Sequence, residues 1–326
     1  MLEDLLFAVN ATASVVLTVL VGYFIKKIGL IDASVAKVLN KLTFRVFLPA
    51  MLFLNMYKIE SLAEVDFTFV WYALGITLVI FLVAIPSVML MTKDKPKRGA
   101  MLQAFFRANY ALVGIPLANE LAPGEGTIMA TVLSAFIVPV FNILAVVGLS
   151  LFSNDKKPSL KGILLGIVRN PLIQSIALGF LALGVRAIFV EADVAFRLTD
   201  IQPVYKTLTS LSQVATPLAL VALGAQFELS AIPDLKRYIS AGVVIRNLAV
   251  PLIGIGGALL LGCFGKEHFA PFIAVFCTPV AVSSVPMAQE MDADVRLAGQ
   301  LVVWTTLFSV MSIFLSSYIL KALGIF

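Results

Sequence analysis

The chain has 326 residues, of which 60% are apolar and only 13% charged, and its mean hydropathy is +1.01. A soluble domain carries about twice that charge, so the composition excludes a water-soluble globular protein and indicates a polytopic membrane protein. The net charge of +5 reads as topological bias; no basic face with interleaved aromatics exists outside the apolar runs, which excludes nucleic-acid binding.

The charges cluster in short stretches between apolar runs, and the runs predict ten spans. In chain order these are 5–25, 37–57, 66–91, 99–122, 127–152, 160–187, 202–226, 237–262, 269–289 and 297–320. The N-terminus, Met1-Leu2-Glu3-Asp4, is acidic, and the first run is too long for an h-region, so no cleavable signal peptide is expected. One face of the membrane collects Lys26, Lys27, Lys37, Lys41, Lys93, Lys95, Lys97, Arg98, Lys156, Lys157, Lys161, Lys236, Arg237 and Arg296. The other collects only Lys58, Arg186, Arg197, Lys206, Lys266 and Lys321. The first face is therefore cytoplasmic. Ten spans then put both termini outside.

Span two holds Pro49 and span seven holds Pro217, 168 residues apart (217 − 49). Span four contains Gly114-Ile115-Pro116-Leu117-Ala118-Asn119-Glu120-Leu121. A similar segment returns in span nine as Ser284-Val285-Pro286-Met287-Ala288-Gln289-Glu290-Met291. The second proline pair is 170 residues apart (286 − 116). Two proline pairs at nearly one offset predict an internal repeat, residues 1–153 and 154–326. Five spans per half is an odd number, so the second half enters the membrane from the opposite side and the repeat is inverted.

A proline in a spanning helix frees backbone groups that lipid cannot satisfy. The sequence thus predicts broken helices four and nine, interrupted at Pro116 and Pro286, with a ligand between the half-helix ends. Free amides at a helix start suit an anion. The candidate substrate-binding set is Asn109, Gly114, Pro116, Thr278, Pro279, Ser283, Ser284 and Pro286. Asn109, Thr278, Ser283 and Ser284 supply neutral hydrogen bonds. The competing reading is a pair of kinked packing helices.

Arg45, Arg107, Arg169 and Arg246 fall inside spans. Each is costly there, and snorkelling, pairing with helix carbonyls and lining an anion path all account for them. Glu120 and Glu290, each four residues after its proline, either titrate protons or cap half-helices. A sodium ion could instead use carbonyls freed at the breaks together with Gln289, Asn119 or Thr278. Asn142 beside Pro139 and Asn170-Pro171 read as packing or hinge positions. Cys263 and Cys277 read as packed thiols. One histidine in a loop, no His-Glu-x-x-His and no Walker lysine loop argue against an enzyme, and no metal or cofactor is expected.

These residues resemble the auxin efflux carrier family in its compact bacterial form, which includes malonate and malate permease-like proteins. The matching stretches are Leu39-Asn40-Lys41-Leu42 through Phe47-Leu48-Pro49, Asn109 through Gly114-Ile115-Pro116, Arg169-Asn170-Pro171, Thr216-Pro217 through Leu223-Gly224, and Pro279-Val280-Ala281. The resemblance implies crossed fourth and ninth helices, a fold similar to bile-acid sodium symporters, and often a dimer. It implies a scaffold from about 5–57 and 160–226 and a moving domain from about 66–152 and 237–320. It also implies a ligand carboxylate at the crossover and Asn109. Ser283 departs from the asparagine that relatives often carry, and the long cytoplasmic loop of plant carriers is absent. The expected function is alternating-access transport of a small organic anion, a mono- or dicarboxylate, across the cell membrane. A sodium-coupled importer and a non-transporting sensor are the alternatives. The expected partners are that anion, a sodium or proton co-ion, membrane lipid and a second copy of the chain.

Overall fold

The computed structural model describes residues 2–59, 67–153 and 160–325; Lys156 and Lys157 lie outside them. Among the described residues every regular element is helical, and β-type pairing is confined to one antiparallel bridge between Ala108 and Val280.

Helix α1 spans Leu2–Lys27. Helices α2 (Ala33–Leu42) and α3 (Leu48–Tyr57) are joined through a π-helical turn, Thr43–Phe47. Helix α4 spans Phe67–Met91. Helix α5 (Lys95–Phe106) is separated from α6 (Ile115–Leu121) by an extended segment and a π turn, Tyr110–Gly114; α7 spans Glu125–Leu151. The second half begins with α8 (Leu160–Arg169), α9 (Pro171–Glu191) and α10 (Gln202–Gln226). Helices α11 (Ile232–Val244) and α12 (Val250–Leu261) flank a π turn, Ile245–Ala249. Then come α13 (Lys266–Phe276), α14 (Ser284–Glu290) and α15 (Val295–Ala322).

Each π turn ends two residues before a proline: Pro49, Pro116 or Pro251. A proline has no N–H and its ring clashes with the carbonyl four residues back. Widening the preceding turn by one residue relieves the clash without breaking the helix. Spans two and eight therefore stay continuous. Asp32, Asp94, Asn170 and Asp294 cap the starts of α2, α5, α9 and α15 by accepting from backbone amides. The Asn170-Pro171 pair is thus a helix start within the sixth apolar run.

Among the described residues seven helical stretches are long and apolar enough to cross a bilayer. The 12-residue α5 and 11-residue α13 are not among them. At 1.5 Å per residue each covers about half of a 30 Å hydrocarbon core. Neither is long enough to cross it alone.

The interruptions differ from the expectation in position. Helix α5 stops at Phe106 and α13 at Phe276, so the broken segments are 107–109 and 277–283. Pro286 sits in the first turn of α14, where a proline has no helical hydrogen bond to lose, and Pro116 follows the π turn that restarts the other helix at Tyr110. Both prolines belong to the second half-helices and neither ends a first one.

Helices α2 and α3 pack on α10, which also packs on α1, and α9 packs on α3; α5, α6, α7, α13 and α15 interlock around the breaks, flanked by α4, α11 and α12, and α15 also packs on α1. Helix α1 crosses α10 at Gly22 and Gly224. A Cβ on Gly224 would lie 1.9 Å from the Val19 carbonyl oxygen, and one on Gly22 would lie 2.1 Å from that of Val221. Only glycine permits this approach. Leu90, Trp71, Leu181 and Leu260 remain exposed on the outer surface, as a lipid-facing wall requires.

Candidate functional site: the crossed helix breaks

Two extended segments inside a membrane must satisfy their backbone groups within the protein. Here they satisfy each other. The Asn109 amide donates to the Pro279 carbonyl at 2.7 Å, and the Ala281 amide donates to the Arg107 carbonyl at 3.3 Å. The Asn109 carbonyl in turn accepts from the amides of Val113 and Gly114, which opens the π turn leading into α6. Gly114 passes close to α13: an added Cβ would lie 3.0 Å from the Ala274 carbonyl oxygen.

Two guanidinium groups are buried at this crossing. Arg107 is 2% exposed and Arg246 1%. Among the described residues neither has a carboxylate partner. Arg107 donates through Nη1 to Gln103 Oε1 at 2.8 Å and to Met287 Sδ at 3.1 Å. Through Nη2 it donates to Asn142 Oδ1 at 2.8 Å and Ser283 Oγ at 3.0 Å. All four acceptors are neutral. Arg246 donates only to main-chain carbonyls, those of Thr278, Val275 and Phe106.

A cavity of about 50 Å³ opens at Arg107. Its polar wall is Arg107, Asn109, Asn142 and Ser283, from the group of helices that contains the breaks. Its apolar wall is Leu48, Met51, Leu52, Leu172, Ala215 and Ala219, from α3, α9 and α10. The Asn109 Nδ2 is buried and makes no hydrogen bond among the described residues. That is room for a few water molecules, at about 10–15 Å³ of such space each.

Of the residues singled out by sequence, Asn109 and Ser283 line this cavity, while Gly114, Pro116, Thr278, Pro279, Ser284 and Pro286 do not. Pro279 supplies the crossing carbonyl, and Thr278 donates its hydroxyl back to Ala274. Pro116 and Glu120 are exposed. Gln289 donates to the Lys37 carbonyl at 2.9 Å and accepts from Asn40 at 3.1 Å; Glu290 pairs with Arg45 at 2.9 Å. These contacts tie the end of α14 to α2 and the π turn after it. Arg169 is exposed at the end of α8. Among the described residues no cluster of three or more His, Cys, Asp or Glu could hold a metal.

Arg107 is one of the four arginines that sequence reasoning left undecided, and Asn142 is one of the two asparagines it set aside as packing or hinge positions. Both belong to the polar wall. The available signal was position: Arg107 stands two residues before Asn109, in the segment richest in polar side chains.

Comparison with known proteins agrees with a membrane transporter. A family model described as membrane transport protein matches residues 7–161 and 155–317. An uncharacterised transporter of Methanocaldococcus jannaschii is 25% identical over 318 residues, covering 94% of this chain and 96% of that protein. An uncharacterised transporter of Methanothermobacter thermautotrophicus is 23% identical over 333 residues, with the same coverage.

Proposed function

This chain belongs to the auxin efflux carrier-like family of membrane transport proteins, and we propose that it is a secondary carrier for a small organic monocarboxylate. The observation that carries this reading is Arg107, a buried guanidinium that lines the cavity and has only neutral partners. A lone buried cation is costly; an arriving carboxylate offsets that cost and can displace a neutral acceptor such as Ser283 to take a charge-assisted bond from the guanidinium. The unsatisfied Asn109 amide supplies a further donor at the same wall.

The opposite wall selects the rest of the substrate. It is almost entirely aliphatic, with Thr216 its one polar lining residue. A second carboxylate placed there would be buried without a charged partner. The cavity therefore favours one carboxylate with a short apolar body over malate or malonate.

A ten-span, inverted-repeat topology is supported by which loops touch. The Asp294 amide donates to the Pro96 carbonyl at 3.1 Å, and Arg296 pairs with Glu228 at 2.8 Å. Arg186 donates to the Tyr57 carbonyl, and the Leu198 amide donates to the Tyr57 hydroxyl. The first two contacts join loops that ten spans put in the cytoplasm; the others join loops outside. Helices of 5–57 and 160–226 then form a scaffold, and those of 66–152 and 237–320 carry the crossover past it. Substrate held between the two walls crosses as they move. A monovalent anion leaving a negative-inside cell gains about 2.3 kcal/mol per 100 mV, so export needs no further driving force.

The test is uptake into proteoliposomes of radiolabelled mono- and dicarboxylates under an imposed voltage, a pH gradient or a sodium gradient. Saturable, voltage-driven flux of a monocarboxylate is expected. Flux of dicarboxylates alone would overturn the substrate assignment, and no flux of any acid by folded protein would overturn the carrier reading.

A further inference from the structure

Breaking α5 and α13 in mid-membrane leaves two sets of carbonyls without helical partners. Each set is the negative end of a helix dipole, and the crossing brings the two sets together. Converging carbonyls of this kind are the ligands that a coupling sodium ion takes in carriers with broken helices. In this protein they are already occupied. Arg246, in the π turn between α11 and α12, donates Nε to the Thr278 carbonyl at 2.8 Å and Nη2 to the Val275 carbonyl at 2.7 Å. Its Nη1 reaches the Phe106 carbonyl of the other broken helix at 3.4 Å.

Three further observations separate this group from the cavity. Arg246 does not line the cavity. Among the described residues no acid balances its charge, so carbonyl dipoles alone do so. Gln289, a side-chain oxygen that could have served a cation, instead accepts from Asn40 of α2.

We infer that Arg246 is a tethered cation that takes the place of a dissolved one at the crossover, holding the ends of both broken helices in register. It is a positioning residue: it shapes the wall on which Arg107 and Asn109 sit and does not meet the substrate. The transport consequence rests on the carrier reading above; the site itself does not.

The experiment compares purified wild type and Arg246→Ala in detergent, following thermal unfolding and carboxylate binding in sodium, potassium and choline chloride. Wild type is expected to show less than a twofold change in Kd and no shift in unfolding among the three salts. Arg246→Ala is expected to unfold at lower temperature and bind at least tenfold more weakly. Low-millimolar methylguanidinium should restore both in the variant and leave wild type unchanged, while the neutral analogue methylurea should restore neither. A saturable sodium response in wild type would overturn the inference. So would a variant that is unimpaired, or one that methylguanidinium does not restore. If Arg246→Ala cannot be purified folded, Arg246→Gln removes the charge but keeps a donor, and a gain of sodium response in unfolding is then required of it. Should no carboxylate bind any form, the carrier reading fails while the unfolding measurements still decide the role of Arg246.

Discussion

Arg107→Gln removes the positive charge from the cavity while leaving an amide that can donate to Asn142 or Ser283. Losing one partner of a buried charge pair costs about 2–5 kcal/mol of binding. The lower end applies here, because Asn109 and Ser283 remain on the same wall. At 1.4 kcal/mol per tenfold, about 2 kcal/mol is roughly a 30-fold rise in Kd. Stability should respond differently. The change strips donors from Gln103 and Asn142, at about 1–3 kcal/mol for each acceptor left bare, and the new amide can serve one of them. Against this, it relieves the burial of an uncompensated cation, which costs several kcal/mol. The two effects nearly offset, and unfolding free energy should move by less than about 2 kcal/mol. Monocarboxylate binding to purified protein and denaturant unfolding of the same sample separate the outcomes. A variant that binds normally but is strongly destabilised would show that Arg107 is structural glue and not an anion site.

Asn109→Ala should reduce carboxylate transport at least about tenfold without loss of stability, since its Nδ2 has no partner to lose; uptake and thermal unfolding together check this. Gly224→Ala should separate α1 from α10 and lower stability by about 1–3 kcal/mol, measurable as a fall in the unfolding midpoint. The exposed Arg45–Glu290 pair should contribute at most about 1 kcal/mol: Glu290→Arg should weaken the fold slightly, and a further Arg45→Glu should restore it in a double-mutant cycle. Cys263 is exposed and Cys277 buried, so a membrane-impermeant maleimide added to intact cells should label only Cys263; labelling only after lysis would reverse the topology. Asp32 is held below the usual carboxylate range, first by the Val35 amide and then by the Ser34 hydroxyl. Its capping contribution is therefore present at neutral pH and lost as pH falls through the lowered value, and Asp32→Ala should flatten that acid limb of stability.

Much of the helical layout was legible because lipid imposes two strict rules, on length and on backbone satisfaction. The run at 202–226 ends where α10 does, and charges mark most other boundaries within a few residues. The breaks were legible only in part. Proline marks where a helix can restart, and sequence offers no equivalent mark for where the preceding one stops. The stop at Phe106 depends on a hydrogen-bonded extended segment, residues 279–281, far away in the chain. For the same reason Arg107 and Arg246 could not be told apart in advance. Both are arginines at similar depth, and only the fold shows that one meets carbonyls and the other a cavity.

The crossing also dictates an order of assembly. Val280 is synthesised 172 residues after Ala108 (280 − 108), and Arg246 follows Phe106 by 140 residues. At about 5–20 residues per second, the first break waits roughly ten to thirty seconds for its partner. Throughout that interval the Asn109 amide lacks its Pro279 acceptor and Arg107 lacks Met287 and Ser283, and bare lipid cannot supply them. The nascent first half is therefore a client of the insertion machinery and not a finished bundle. Either half made alone should be recognised as defective, and only a chain carrying both breaks can leave the quality-control stage of biogenesis.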